Sequence, residues 1–217
     1  MKILFVAVAI TIGLLAGYLG NRLNERLERP ILMEELPAAT APTWAFPVTS
    51  AILFGLLAWT QGATSAMAIH AFWVWLLLLI AAFDLRWHLI LDVVTYPAVV
   101  AALILATATG SPGLMDSLLG LGLGLACLLP FAVISELFHG GGGFGWGDVK
   151  LGALLGAILG ASLHTYQFNG VAAICYGAIL GGVVTAALLL TRSLGWRQAI
   201  AYGPFLAAGG ILVIFIG

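Results

Sequence analysis

The chain has 217 residues, of which 62% are hydrophobic and only 8% charged, against about 25% charged in an ordinary soluble domain. This composition indicates an integral membrane protein, and a formal net charge of -1 argues against a nucleic-acid partner. The two cysteines, Cys127 and Cys175, lie inside apolar stretches without a CxxC pair, so no disulfide framework, zinc site or cofactor is expected.

Apolar runs predict eight transmembrane helices and hence an all-α polytopic bundle. Approximate spans are residues 2–20, 46–61, 67–83, 92–109, 114–138, 149–164, 168–191 and 199–216. The first span resembles a secretory signal sequence, but it lacks a small-x-small cleavage site, so we expect a retained helix. We divide the chain into a two-helix region with a short cytoplasmic loop, residues 1–66, and a six-helix core, residues 67–217.

The orientation follows from lysine and arginine, which favour the cytoplasmic side of short loops. Lys2 alone falls on the opposite side to the other seven. Both termini are therefore predicted outside the cytoplasm, in a multi-pass protein of the inner membrane. The seven residues assigned to the cytoplasmic side are Arg22, Arg26, Arg29, Arg86, Lys150, Arg192 and Arg197.

Carboxylates at membrane helices are costly, so four acidic residues outside the solvated loop are functional candidates. Asp84, Asp92, Glu136 and Asp148 all fall at the cytoplasmic ends of predicted helices three to six. The alternatives are a salt bridge from Asp84 to Arg86, a helix N-cap for Asp92, which we favour, and contact with interfacial water for Glu136. The remaining acids belong to the loop (Glu25, Glu28, Glu34 and Glu35) or begin the fifth helix as a cap (Asp116).

Asp148 follows the glycine-rich run Gly140 to Gly147 and opens the sixth helix. Glycine permits close approach of another backbone, so an extended peptide could pass the carboxylate. The alternatives are a flexible hinge with an N-cap aspartate, or a phosphate loop, which lacks the GxxxxGK[ST] pattern. Two aspartates within a few Å share a proton, so Asp84 and Asp148 could act as one base and acid pair that activates water.

Other protease chemistries lack their motifs, since neither HExxH nor GxSxG is present. Ser135 and His139 are one helical turn apart, a spacing that arises more often by chance than in a catalytic dyad. The four histidines fall on both membrane faces and predict no shared metal site. Two other classes stay open, a small transporter that uses intramembrane acids and a silent assembly protein with the same fold.

Three segments resemble the type IV prepilin peptidases, which are GxGD-type intramembrane aspartyl proteases. Asp84 to Asp92 is similar to the family's aspartate with a second acid eight residues later, although Leu91 replaces the usual proline. Gly145 to Leu151, GWGDVKL, is similar to the GxGDVKL core. Tyr202 to Ala207, YGPFLA, is similar to the FGPFLA that opens the last helix.

The resemblance implies that Asp84 and Asp148 are the catalytic pair, with supporting roles for Asp92, Gly145, Gly147 and Lys150. It implies cleavage of a pilin or pseudopilin precursor after a glycine, next to membrane lipid and at the cytoplasmic face. Many bacterial members carry CxxC motifs that bind zinc and an associated N-methyltransferase activity. Those cysteines are absent here, so no zinc and no methyl transfer are expected. The oligomeric state is not readable.

Overall fold

The computed structural model describes residues 2–28, 44–139, 145–191 and 200–216. This part of the chain forms eight α-helices and contains no β-strand, which confirms the predicted all-α bundle. The helices are α1 (Lys2–Glu28), α2 (Ala45–Gln61), α3 (Ser65–Trp87), α4 (Asp92–Thr109), α5 (Leu114–His139), α6 (Trp146–Leu159), α7 (Asn169–Leu190) and α8 (Gly203–Ile216).

The helices have the length and composition of a multi-pass membrane protein. Five of them, α1, α3, α4, α5 and α7, are long and apolar enough to cross a membrane, and α2 and α8 are shorter apolar helices. Helix α6 has only 14 residues, so it extends about 21 Å, less than the roughly 30 Å hydrocarbon thickness of a bilayer.

Four helix boundaries differ from the prediction by four residues or more. Helix α3 continues to Trp87 instead of ending at residue 83. Helix α1 continues to Glu28 instead of ending near residue 20, because arginine, leucine and glutamate are good helix formers even where the apolar run has stopped. Helix α6 ends at Leu159 rather than residue 164, because Gly160 takes a positive φ of 72°. Helix α8 begins at Gly203 rather than at residue 199.

The chain forms two compact units, Met1–His88 and Leu89–Gly217. In the first unit, α1 and α2 run antiparallel with their backbones close together. A Cβ atom at Gly13 or Gly17 would collide with backbone atoms of Ser50 or Pro47 on α2. The predicted division into a two-helix region, residues 1–66, and a six-helix core, residues 67–217, stays a prediction.

In the second unit, α6 packs against α4, α5, α7 and α8. Its closest neighbour is the antiparallel α5, where Gly120 lies against Gly156 and Gly124 lies against Gly152, with no room for a Cβ atom. In the sequence, Gly152, Gly156 and Gly160 are spaced four residues apart, a small-residue pattern that predicts close helix contact, and the structure confirms this contact at Gly152 and Gly156. On its other faces α6 buries leucines completely, namely Leu151, Leu154 and Leu155.

The last two helices also meet through glycines. A Cβ atom at Gly177 of α7 would lie 2.8 Å from the Leu206 Cα of α8, and one at Gly209 would collide with the carbonyl of Ala173. Gly181 faces the ring of Tyr202. Gly177 and Gly181 have the same four-residue spacing, which predicts close helix contact. The structure confirms this prediction, and α8 is thereby held beside the core of the second unit.

Candidate active site

Asp84 lies in the last turn of α3 with its side chain buried, because only 4% of the residue is exposed. The helix stops at Trp87, where His88 takes a left-handed conformation with φ 51° and donates its backbone N–H to the Asp84 carbonyl at 2.8 Å. The sequence also offered Arg86 as a salt-bridge partner of Asp84. In the structure, Arg86 Nη1 lies 2.9 Å from Glu28 Oε1 of α1. This ion pair fastens the end of α3 to α1.

Asp148 is the third residue of α6 and is 9% exposed. The N-cap of the helix is Gly145, whose extended backbone (φ -78°, ψ 137°) turns the chain into α6, and the Asp148 N–H donates to the Gly145 carbonyl at 3.1 Å. Asp148 is therefore not the N-cap that the sequence left open. A Cβ atom at Gly145 would stand 3.3 Å from Asp148 Oδ2, so glycine leaves space beside the carboxylate.

Gly147 marks a close approach between the start of α6 and the segment that leads into α4. A Cβ atom at Gly147 would lie 2.9 Å from the Ile90 Cβ and 3.3 Å from its Cγ1, below the 3.5–4.0 Å of ordinary carbon contact. The motif glycine is thus a packing requirement one position before Asp148.

Asp92 has a different structural role from the expected one. The N-cap of α4 is Leu91, which makes no side-chain cap, and Asp92 is the first helical residue; the cap prediction is wrong. Its Oδ1 accepts a hydrogen bond from Lys150 Nζ of α6 at 2.5 Å, and the ammonium also lies 5.4 Å from the ring centroid of Tyr96. Asp92 and Tyr96 therefore hold the first turn of α6 from the side of α4.

Two further contacts surround the start of α6. Trp146 Nε1 donates to Glu136 Oε2 of α5 at 3.3 Å. Tyr202 lies just before α8, and burial raises the pKa of its hydroxyl, with a further contribution from the negative charge of Asp148. The second and third sequence motifs thus share one electrostatic environment.

The sequence missed Tyr96 and Trp146. Tyr96 is four residues after Asp92, which places both on one face of α4, so helical spacing could have identified it. Trp146 occupies the variable position of GxGD and carries no signal of its own.

The described ranges contain no cluster of three or more histidine, cysteine, aspartate or glutamate side chains that could hold a metal ion. Cys127 and Cys175 are both free thiols. His70 bonds Gln61 Oε1 through Nδ1 at 2.8 Å, within the first unit. The expected absence of a metal and of a cofactor stays a prediction.

Comparison with known proteins settles the family. Residues 71–190 match the model of the type IV leader peptidase family, a range that includes Asp84, Asp92 and Asp148. The chain belongs to the type IV leader peptidase family. This membership confirms the resemblance drawn from the three motifs. No solved structure gave a significant match.

Three curated relatives illustrate the similarity, each named a prepilin leader peptidase/N-methyltransferase. The Bacillus subtilis protein is 37% identical over 92 residues, which are 42% of this chain and 34% of that protein. The Pseudomonas putida protein is 28% identical over 78% of this chain and 57% of its own length. The Dickeya chrysanthemi protein is 32% identical over 79% of this chain and 60% of its own length. The chain thus spans between a third and six tenths of these relatives.

The site residues fall into two groups. Within the second unit, the structure brings together Asp92, Lys150 and the glycines around Asp148, all of which the sequence singled out. Asp84 belongs to the first unit, at the end of α3. The catalytic pairing of Asp84 with Asp148 stays a prediction.

Proposed function

We propose that this protein is a membrane aspartyl endopeptidase that removes the short basic leader of type IV pilin-like precursors at the cytoplasmic face of the inner membrane. The observation that carries the proposal is the presence, inside the matched family region, of two carboxylates that are 4% and 9% exposed, Asp84 and Asp148. Buried acids in membrane helices are costly and mark functional sites.

One acid lies at the N-terminal end of a helix and the other at the C-terminal end of a helix, which supports different roles for them in catalysis. Asp148 lies in the first turn of α6, where the positive end of the helix dipole favours a negative charge, whereas Asp84 lies in the last turn of α3, beside carbonyls that disfavour one. We assign Asp148 as the general base and Asp84 as the acid of a pair that shares one proton.

The proposed reaction is the hydrolysis of one peptide bond. Asp148 takes a proton from a water molecule, whose oxygen attacks the scissile carbonyl while protonated Asp84 donates a hydrogen bond to the carbonyl oxygen. The proton then passes to the leaving amide nitrogen as the carbon–nitrogen bond breaks. Neither a metal nor a cofactor takes part.

The surroundings of Asp148 fit an extended peptide. Gly145 places no side chain beside Oδ2, which leaves room at this position for the backbone of a substrate. A prepilin as substrate follows from the names of the relatives, prepilin leader peptidase/N-methyltransferase, and a pseudopilin precursor follows from the resemblance of the three motifs. Methyl transfer is not proposed for this chain, because the CxxC cysteines that accompany it are absent from the sequence.

The decisive experiment incubates the purified full chain in lipid nanodiscs with a purified type IV prepilin and measures leader release by mass spectrometry. Asp84→Asn and Asp148→Asn should each reduce the cleavage rate by at least a thousandfold, because neither variant can cycle the proton. Asp116→Asn is the matched control, since Asp116 also lies in the first turn of a helix, α5.

The control should cleave at the parental rate. Full activity in either dyad variant would refute the aspartyl mechanism, and no cleavage by the parent protein would refute the peptidase assignment. A folded parent that instead conducts protons across liposomes would favour the transporter alternative.

The proposed cytoplasmic orientation is tested separately. A fluorescent protein fused after residue 217 should stay dark and an alkaline phosphatase fused there should be active, because both termini are proposed to lie outside the cytoplasm. The opposite pattern would invert the topology and would place the two acids on the outer face.

A further inference from the structure

The first unit contains an apolar groove that the proposed reaction does not use. Its volume is about 360 Å³, within the range of small-molecule sites. Every lining side chain is apolar or aromatic, and the one indole N–H among them, from Trp75, donates to the Ala16 carbonyl of α1 at 2.9 Å. We call this feature the α1–α3 groove. Its lining includes Ala9, Ile12, Phe54, Ala68, Phe72 and Trp75.

The groove opens to the surface of two membrane-spanning helices. Val8, Ile12 and Phe72 in its lining are 46%, 52% and 41% exposed, and both α1 and α3 are long enough to cross the bilayer. The medium around these side chains is therefore lipid, which excludes a polar ligand.

The groove is long enough for part of one hydrocarbon chain. From Phe5 to Ala16 the groove follows α1 for 11 residues, which is about 16 Å at 1.5 Å per residue. A saturated acyl chain in extended form can lie along this length.

A positively charged residue, Lys2, lies at the start of the face of α1 that lines the groove. Lys2, Phe5, Ala9, Ile12 and Ala16 are spaced three and four residues apart, so they lie on one face of α1. The Lys2 ammonium lies 4.4 Å from the ring centroid of Trp59 on α2. Tryptophan and lysine are typical of the membrane–water interface, so the apolar groove begins where a lipid headgroup would lie.

The groove faces away from the proposed acid of α3. Asp84 follows Ala68, Phe72 and Trp75 by 16, 12 and 9 residues. At 100° per residue, these positions are roughly 120–180° from Asp84 around the helix. The helix of a precursor cut at Asp84 would therefore approach a different face.

We infer that the α1–α3 groove binds one acyl chain of an anionic phospholipid, whose headgroup pairs with Lys2. The inference is independent of the peptidase activity. The occupant follows from an all-apolar lining, a length suited to an extended chain and a cation at the interfacial end.

The test is native mass spectrometry of the full chain, released from detergent with either phosphatidylglycerol or phosphatidylcholine of identical acyl chains. The parent protein should bind one phosphatidylglycerol about fivefold more tightly than phosphatidylcholine, the preference expected from one lysine. Lys2→Gln should abolish this preference, whereas Lys2→Arg should retain it.

A second pair of variants tests the groove itself. Ala68→Phe fills it from an exposed position, whereas Ala66→Phe adds the same side chain at an exposed residue of α3 outside the lining. Binding of both lipids should fall at least fivefold in the first variant and stay unchanged in the second. Equal affinity of the parent for both lipids, or unchanged binding in Ala68→Phe, would overturn the inference. So would an Ala68→Phe variant that binds lipid normally but loses self-association or precursor binding.

Discussion

Substituting Gly147 tests whether the glycine before Asp148 acts through packing. In Gly147→Ala the new Cβ would stand 2.9 Å from the Ile90 Cβ, so the start of α6 must move by about 0.6 Å to reach ordinary contact. Overpacking of this kind costs about 1–3 kcal/mol, and the better helix propensity of alanine offsets at most about 1 kcal/mol. The steric term wins, and we expect lower stability.

The same displacement moves the backbone next to Asp148. Since a 1 Å misplacement can cost about a hundredfold in rate, a shift of about 0.6 Å predicts roughly a tenfold loss of cleavage, mainly in kcat. Gly122→Ala is the matched control, because nothing lies within 4 Å of a Cβ atom at this α5 position. It should keep full activity and melt slightly higher.

The assays are precursor cleavage and thermal unfolding in the same nanodiscs. With a net loss of about 1–2 kcal/mol, the melting temperature of Gly147→Ala should fall by about 2–8 °C, at roughly 2–4 °C per kcal/mol for a chain of this size. If Gly147→Ala cleaves at the parental rate and melts as high as Gly122→Ala, the steric argument fails.

Three further predictions concern contacts that hold the helices. Asp92→Asn or Lys150→Met should reduce cleavage by up to about fivefold, as expected for a partly exposed ion pair worth about 0.2–1 kcal/mol; an unchanged kcat in both would remove their supporting role. Arg86→Met should cost about 1–3 kcal/mol, because Glu28 is 13% exposed and loses its partner, and adding Glu28→Gln should recover most of this loss in thermal unfolding. Ser117→Ala should lower the melting temperature by several degrees, because its buried hydroxyl donates to an α6 carbonyl at 2.5 Å; an unaltered melting curve would contradict this.

The sequence predicted the helices because a bilayer imposes long apolar runs that stand out without any knowledge of tertiary contacts. It also predicted close contact at Gly152 and Gly156, since glycines four residues apart leave one face of a helix without side chains. The apolar runs and the glycine spacing can each be read from a single segment of the chain.

Two predictions are wrong, for different physical reasons. Asp92 was expected to cap α4, but its partner Lys150 lies 58 positions away on α6, and no local pattern announces such a bond. The apolar run predicts that α1 ends near residue 20, but the helix continues to Glu28. An apolar run indicates which residues contact lipid, and it does not indicate where the helical backbone ends.

The antiparallel contact of α5 and α6 also fixes how far Asp148 lies from the end of α5. With Gly120 opposite Gly156 and Gly124 opposite Gly152, Asp148 lies level with Leu128, whereas α5 continues to His139. Those 11 residues rise about 16 Å above the carboxylate. The unequal lengths of these two neighbouring helices therefore leave the last three turns of α5 as one flank of the carboxylate.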